Sequence, residues 1–138
     1  MSVNQALQNK IQISLFLMRV SIFLVMFVWT VDKFTDTNMA IQIYEAFYFI
    51  GGVSTEIMLA LGAIEMVLIL AFVAGLWKNI TYSAVLVLHG ISTLSSWKQY
   101  INMELLFYAA WPMFAGCIML YLLRDLDTKF ILKLPEKN

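Results

Sequence analysis

Charged side chains are scarce in this chain. Only 13% of its 138 residues are Asp, Glu, Lys or Arg, whereas an ordinary soluble domain has roughly a quarter. Nine basic and nine acidic residues give a formal net charge of zero, which excludes the basic surface that nucleic-acid binding requires. The single cysteine allows neither an internal disulfide nor a CxxC redox pair, and six glycines and two prolines exclude a collagen-like chain.

Apolar residues are correspondingly abundant, at 62% of the chain. A helix of about 20 mostly apolar residues crosses the roughly 30 Å of hydrocarbon in a bilayer. Four windows of about that size are present, at residues 11–31, 57–76, 80–97 and 104–123. We therefore predict an all-α fold, an integral membrane four-helix bundle that forms a single transmembrane domain over residues 1–138.

The distribution of basic residues predicts the orientation of these spans. Four spans place both termini on one side of the membrane, and basic flanks are retained in the cytoplasm. Only Lys33 and Lys98 lie on the side opposite the termini. The side that holds the termini has Lys10, Lys78, Arg124, Lys129, Lys133 and Lys137. The prediction is a multi-pass protein with cytoplasmic N and C termini and a solvated or interfacial cytoplasmic tail over residues 124–138.

The long link between the first two spans has helical periodicity. Within residues 38–50 one predicted face is apolar and another is polar. The apolar face comprises Met39, Ile43, Ala46, Phe47 and Ile50. This segment is too short to span, so we predict a short amphipathic helix, ended by Gly51-Gly52, that lies in the outer interface or covers the bundle.

Three polar residues fall near the middle of predicted spans. Arg19, Glu65 and His89 lie close to the centres of the first, second and third windows. An unpaired charge at such a depth costs roughly 2.5–3.5 kcal/mol. We therefore predict a buried polar layer with an Arg19–Glu65 ion pair and His89 nearby. The residues leave open whether this layer only fixes helix register or serves as a binding or proton-handling site.

A second set of charges falls at the predicted outer ends of the helices. Such residues are commonly just solvated, and the alternative is that they line the mouth of a cavity above the polar layer. The outer-mouth residues are Asp32, Lys33, Glu56, Lys98 and Glu104.

The sequence contains no motif for a cofactor. One histidine excludes bis-His haem ligation and a three-His zinc site within the chain, and no metal site is predicted. The many aromatic residues would suit a flat ring such as a quinone, although aromatic side chains are also common at membrane interfaces. No nucleophile–base pair or phosphate loop is present, so no catalytic residue is assigned and a self-contained enzyme is the least favoured class.

Short motifs in three parts of the sequence are similar to those of a known protein family. Arg19 is followed 14 positions later by Lys33-Phe34, and the central Glu65 of the second span is followed by Gly75 and a basic Lys78. The chain after the fourth span contains Leu126-Asp127. In this arrangement, over about residues 15–127, the sequence resembles the DoxX-like family of small four-helix bacterial membrane proteins. The Gly that the family has near the end of the first helix is replaced in the segment Trp29–Lys33.

The resemblance implies a location in the bacterial inner membrane. DoxX-like proteins include membrane subunits of thiosulfate:quinone oxidoreductases and partners of thiol-oxidant defence systems. The leading hypothesis is therefore an accessory or anchor subunit of a membrane redox complex, with membrane lipid around it, a protein partner or a second copy, and a quinone or lipid near the polar layer. The alternatives are a homo-oligomeric small-solute or proton-coupled transporter or channel, and a membrane assembly factor.

Overall fold

The computed structural model describes residues 3–132, and every regular element in that range is helical. The all-α prediction is therefore confirmed. No Gly or Pro occurs before Gly51, so nothing interrupts the first helix until Asp36 caps the second. The elements are α1 (Val3–Thr35), α2 (Thr37–Tyr48), α3 (Thr55–Val73), α4 (Lys78–Ser95), α5 (Trp97–Ile101), a 3-10 helix (Leu105–Ala109) and α6 (Ala110–Leu122).

Within the described residues, three helices are long and apolar enough to cross a membrane: Asn4–Thr35, Thr55–Val73 and Leu105–Leu122. These correspond to α1, α3, and the 3-10 helix with α6. The third predicted span is α4, which has 18 residues but is not among them. Its sequence contains Thr81, Ser83, His89, Ser92 and Thr93, and these polar side chains lower its hydropathy.

Four helices pack into a bundle in which α1 and α4 lie diagonally opposite. α1 packs against α3 and α6, and α4 packs against the same two helices. One end of the bundle holds the short turn between α3 and α4, and the other end is covered by α2; these are called the turn end and the α2 end. The hydrophobic core includes Leu15, Ile69, Val85, Cys117 and Leu120. Each of these residues lies in the part of its helix nearer the turn end, so the core is concentrated there.

The amphipathic link forms α2, which packs against α1, α3 and α4. Asp36 begins it, because its side chain accepts a hydrogen bond from the Met39 N–H at 3.2 Å. Phe49 ends it in the left-handed conformation with φ 58°. Of the two positions predicted for this segment, the structure shows a helix that covers the bundle.

The fourth predicted window, residues 104–123, is not one continuous α-helix. Residues Leu105–Ala109 form a 3-10 helix and α6 begins only at Ala110. Pro112 lies in the first turn of α6, where its missing N–H breaks no helical hydrogen bond. The predicted span is therefore divided close to its proline.

Residues 124–132 of the predicted solvated or interfacial tail fold back on the turn end, where five of the nine are exposed and one, Asp127, is buried. Asp127 is fully buried, and the Leu132 N–H donates to the Ala74 carbonyl at 2.8 Å. The reason is a buried charge on α1 that the tail neutralises. The rest of the predicted tail, residues 133–138 with Lys133 and Lys137, lies outside the described residues.

Candidate functional site: two ion pairs and an open cavity

Arg19 lies at the turn end in an ion pair with Asp127. The Arg19 Nη1 is 2.9 Å from the Asp127 Oδ2, and both side chains have no exposed surface. Arg19 Nη1 also donates to the Tyr82 hydroxyl at 3.2 Å, and that hydroxyl donates to the same Asp127 Oδ2 at 2.6 Å. A positive charge, a negative charge and a phenol are thus joined in one buried network.

The same arginine fixes the backbone of the tail. Its Nη2 donates to the carbonyls of Lys129 at 2.8 Å and Phe130 at 3.2 Å. Lys78, the first residue of α4, donates from Nζ to the carbonyls of Arg124 and Asp127. Arg19 and Lys78 therefore bind the backbone carbonyls of residues 124–130. The cluster holds this segment against the turn end of the bundle.

The predicted Arg19–Glu65 ion pair is wrong. The C-terminal end of α1, at Lys33 and Phe34, packs against Gly62 near the middle of α3, so Arg19 lies beside Gly75 rather than beside Glu65. A Cβ placed on Gly75 would be 3.1 Å from Arg19 Nη1. Glu65 pairs instead with Lys33, which follows Arg19 by 14 residues and therefore lies about 21 Å farther along α1. The three residues of the predicted polar layer do not share one layer.

Lys33 and Glu65 form the second ion pair, which lies toward the α2 end. The Lys33 Nζ is 2.8 Å from the Glu65 Oε2, with side-chain exposures of 8% and 17%. The Lys33 Nζ also lies 5.8 Å from the centre of the Tyr44 ring on α2. Burial raises the pKa of Tyr44 to about 12, and the Glu65 carboxylate adds to this effect. Tyr44 is therefore a neutral hydroxyl beside a compensated pair of charges.

A cavity of about 1590 Å³ lies between α1, α4 and α6 beneath α2, and both members of this ion pair are in its wall. His89 lines the facing wall, where its Nε2 is 3.2 Å from the Ala110 carbonyl. Because a carbonyl only accepts, Nε2 carries the hydrogen in this contact. Lys33, Glu65 and His89 thus face one apolar space, whereas Arg19 does not line it.

The predicted outer-mouth residues divide into separate groups. Asp32 is exposed and lines the cavity, while Lys33 is buried in the ion pair rather than at a mouth. Exposed Lys98 lies over the rings of Phe49 and Trp97, 5.6 Å from each centre. The exposed carboxylates that begin α3 and precede the 3-10 helix, Glu56 and Glu104, do not line the cavity.

The sequence reasoning does not identify three residues that belong to the two ion pairs or contact them. Tyr82 and Tyr44 have no pattern that marks them as partners of charges. Asp127 was visible as part of the Leu126-Asp127 motif, and the need of buried Arg19 for an acid was a signal that pointed to it. Among residues 3–132, no group of three or more His, Cys, Asp or Glu is placed to hold a metal ion.

A double-mutant cycle would test the Lys33–Glu65 pair. We expect Lys33→Met and Glu65→Leu each to lower the free energy of unfolding by about 1–3 kcal/mol, because each leaves a largely buried charge without its partner. The double variant should lose less free energy of unfolding than the two single losses added together. Denaturation of the purified protein in detergent measures all four free energies. Strict additivity of the two losses would contradict the pairing.

Comparison of the chain with protein-family models, with curated proteins and with solved structures gives no match.

Proposed function

We propose that the chain is a DoxX-like protein of the bacterial inner membrane in which α1, α3, α4 and α6 cross the bilayer. Support for a fourth crossing comes from packing, because α4 lies between α3 and α6 and has 18 residues. A helix enclosed by spanning neighbours is at membrane depth itself. None of its polar residues named above is exposed: Thr81 and Thr93 are buried, and Ser83, His89 and Ser92 are half-buried.

The charges support cytoplasmic termini. At the turn end Lys78 and Arg124 lie next to the tail, and Lys10 and Lys129 belong to the same side of the chain. At the α2 end the basic residues are Lys33, which pairs with Glu65, and the exposed Lys98. The excess of basic residues at the turn end favours that end for the cytoplasm.

The contacts of the motif residues support the proposed family. Arg19, Lys33, Glu65 and Asp127 are the charged residues that carry the resemblance together with Lys78, and they form the two ion pairs of the described chain. Lys78 binds the carbonyls of the same tail. Motif residues that are distant in sequence are therefore in contact in the structure. Such contacts are expected of motif residues that determine how the helices pack.

Within this family we propose that the protein is an accessory or anchor subunit of a membrane redox complex, holding a quinone or lipid beside Lys33, Glu65 and His89. The observation that carries this function is the cavity of about 1590 Å³ with an ion pair in an otherwise mainly apolar wall. Such a space suits a membrane-soluble molecule with a polar head. The chemistry itself is assigned to the partner, because the residues around the cavity form no nucleophile–base pair.

Purification from native membranes in mild detergent tests this function. We expect a stoichiometric partner that carries a flavin, haem or iron–sulfur absorbance, and no redox activity from the chain alone. Quantitative mass spectrometry of the intact complex gives the stoichiometry. A stable monomer with no stoichiometric partner would overturn the proposal.

One observation favours a proton-coupled transporter as the second candidate. Glu65 is an acidic residue in the cavity wall, within reach of a solute there. Four helices are few for a transporter, so this candidate requires a homo-oligomer. Flux into liposomes that is lost in Glu65→Gln would favour it, and a partner that associates only during biogenesis would favour a membrane assembly factor.

A further inference from the structure

We propose that the cavity is a site for one zwitterionic aminophospholipid, with its head beside Asp32 and Lys33 and its acyl chains along α1. This inference rests on the membrane placement in the proposed function and does not require the redox partner. It adds the chemical class of the ligand, the direction from which it arrives and the residue that selects its head.

The length of the cavity fits an acyl chain. Its wall along α1 extends from Ser14 to Lys33, which is about 29 Å at the rise of an α-helix. One leaflet supplies roughly 15 Å of hydrocarbon, half the thickness of the core. Its volume of about 1590 Å³ also exceeds the roughly 300–1,000 Å³ of sites for small molecules. The space is therefore large enough for a long-chain lipid with its head.

The cavity has a lateral opening with exposed apolar walls. Among the described residues, the backbones of α1 and the 3-10 helix do not approach within 8 Å, and α1 meets α6 near Gly116, which lies against Met18 and Ile22. Leu17 and Leu106 line the cavity and are 57% and 85% exposed. A gap with exposed apolar walls at membrane depth admits chains sideways from the lipid.

The α2 helix covers the end of the cavity that would face water. Tyr44 and Phe47 of α2 line the cavity from above, and the Phe47 ring stacks on Phe107 of the 3-10 helix with 5.9 Å between centres. A polar head that enters from the side therefore stops beneath α2, at the level of the Lys33–Glu65 pair.

The charge at this level selects the head. Lys33 and Glu65 neutralise each other at 2.8 Å, whereas the exposed carboxylate of Asp32 has no ion pair among the described residues. The cavity wall therefore carries a net negative charge at its polar end. An ammonium group complements this charge, and an anionic glycerol phosphate head is repelled by it.

Lipid retention by the purified full chain tests the proposal. The protein is equilibrated with vesicles of equal phosphatidylethanolamine and phosphatidylglycerol that also contain a quinone, and is then repurified. Mass spectrometry of the extract should show phosphatidylethanolamine in roughly equimolar amount with the chain and several-fold above the other two. Ser21→Trp places a ring in the cavity wall and should reduce retention several-fold, while Ala63→Trp, on the exposed face of α3 outside the cavity, should retain as much as the wild type.

Further variants keep the outcome decisive. Ala109→Trp fills the cavity from the opposite wall and replaces Ser21→Trp if that variant does not elute as a folded species. Asp32→Asn should keep lipid but lose the preference for the amine head. Equal retention by the cavity variants and Ala63→Trp, or preferential retention of quinone or phosphatidylglycerol, would overturn the proposal. Lipid retention without a redox partner would overturn the accessory-subunit function alone.

Discussion

Replacing Asp127 by alanine is expected to lower the free energy of unfolding by about 3–5 kcal/mol. The substitution leaves the Arg19 guanidinium charged and fully buried, with only the Tyr82 hydroxyl and two carbonyls of the tail as neutral partners. An uncompensated buried charge is among the largest single losses that a folded protein sustains. Denaturation in detergent, followed by circular dichroism, measures the effect.

Two further variants separate this effect from a general effect on the tail. Asp125→Ala removes an exposed carboxylate two residues earlier and should change stability little. The double variant Arg19→Leu with Asp127→Leu removes both charges and should be more stable than Asp127→Ala. A loss in Asp125→Ala as large as in Asp127→Ala would show that the ion pair is not responsible.

The second large effect is expected at Gly75, which lies in the turn between α3 and α4. Its φ of 71° is in the left-handed region, and a Cβ there would lie 2.5 Å from Ile131 Cγ2 and 3.1 Å from Arg19 Nη1. Gly75→Ala therefore combines backbone strain with a close contact, and we expect a loss of about 2–4 kcal/mol. The tail should also detach, which limited trypsin digestion reports as faster cleavage after Arg124 and Lys129.

Gly52 provides a matched control for the backbone part of this effect. Its φ is 75°, and no atom lies within 4 Å of a Cβ placed on it. Gly52→Ala should therefore lose only about 1–2 kcal/mol from strain, with no change in cleavage of the tail. Equal losses of free energy and equal cleavage rates in the two alanine variants would show that the contact between Gly75 and the tail does not contribute to stability.

Helicity could be predicted from the sequence because it depends on local composition. Long apolar windows have few alternatives to helix in a membrane. α1, which contains no Gly or Pro, follows that rule, and so does α3, in which Gly62 is the single glycine. The limits of α1 were less accurate, since the polar residues before Ile11 continue the helix to Val3. Arg19 remains the central residue of Val3–Thr35. The prediction of its partner failed because the C-terminal end of α1, rather than its centre, packs against the middle of α3.

The partners of the charges could not be predicted from depth alone. Lys33 was assigned to a mouth because it follows an apolar window, but α1 continues to Thr35 and α2 then returns over the bundle. Glu65 therefore pairs with Lys33 beneath α2 rather than with Arg19. Asp127 lies after the last helix, and local periodicity contains no information on whether such a segment folds back.

The Arg19–Asp127 contact also constrains how the protein is made. Its two residues are 108 positions apart in the chain, so α1 is synthesised and inserted long before its acid exists. During that interval Arg19 has no acid partner, and the apolar residues on both sides of it must offset the cost of its charge in an inserted helix. The ion pair then forms only after α6 and the segment that follows it have emerged. A chain truncated before Asp127 would lack both the acid that pairs with Arg19 and the carbonyls that bind its guanidinium.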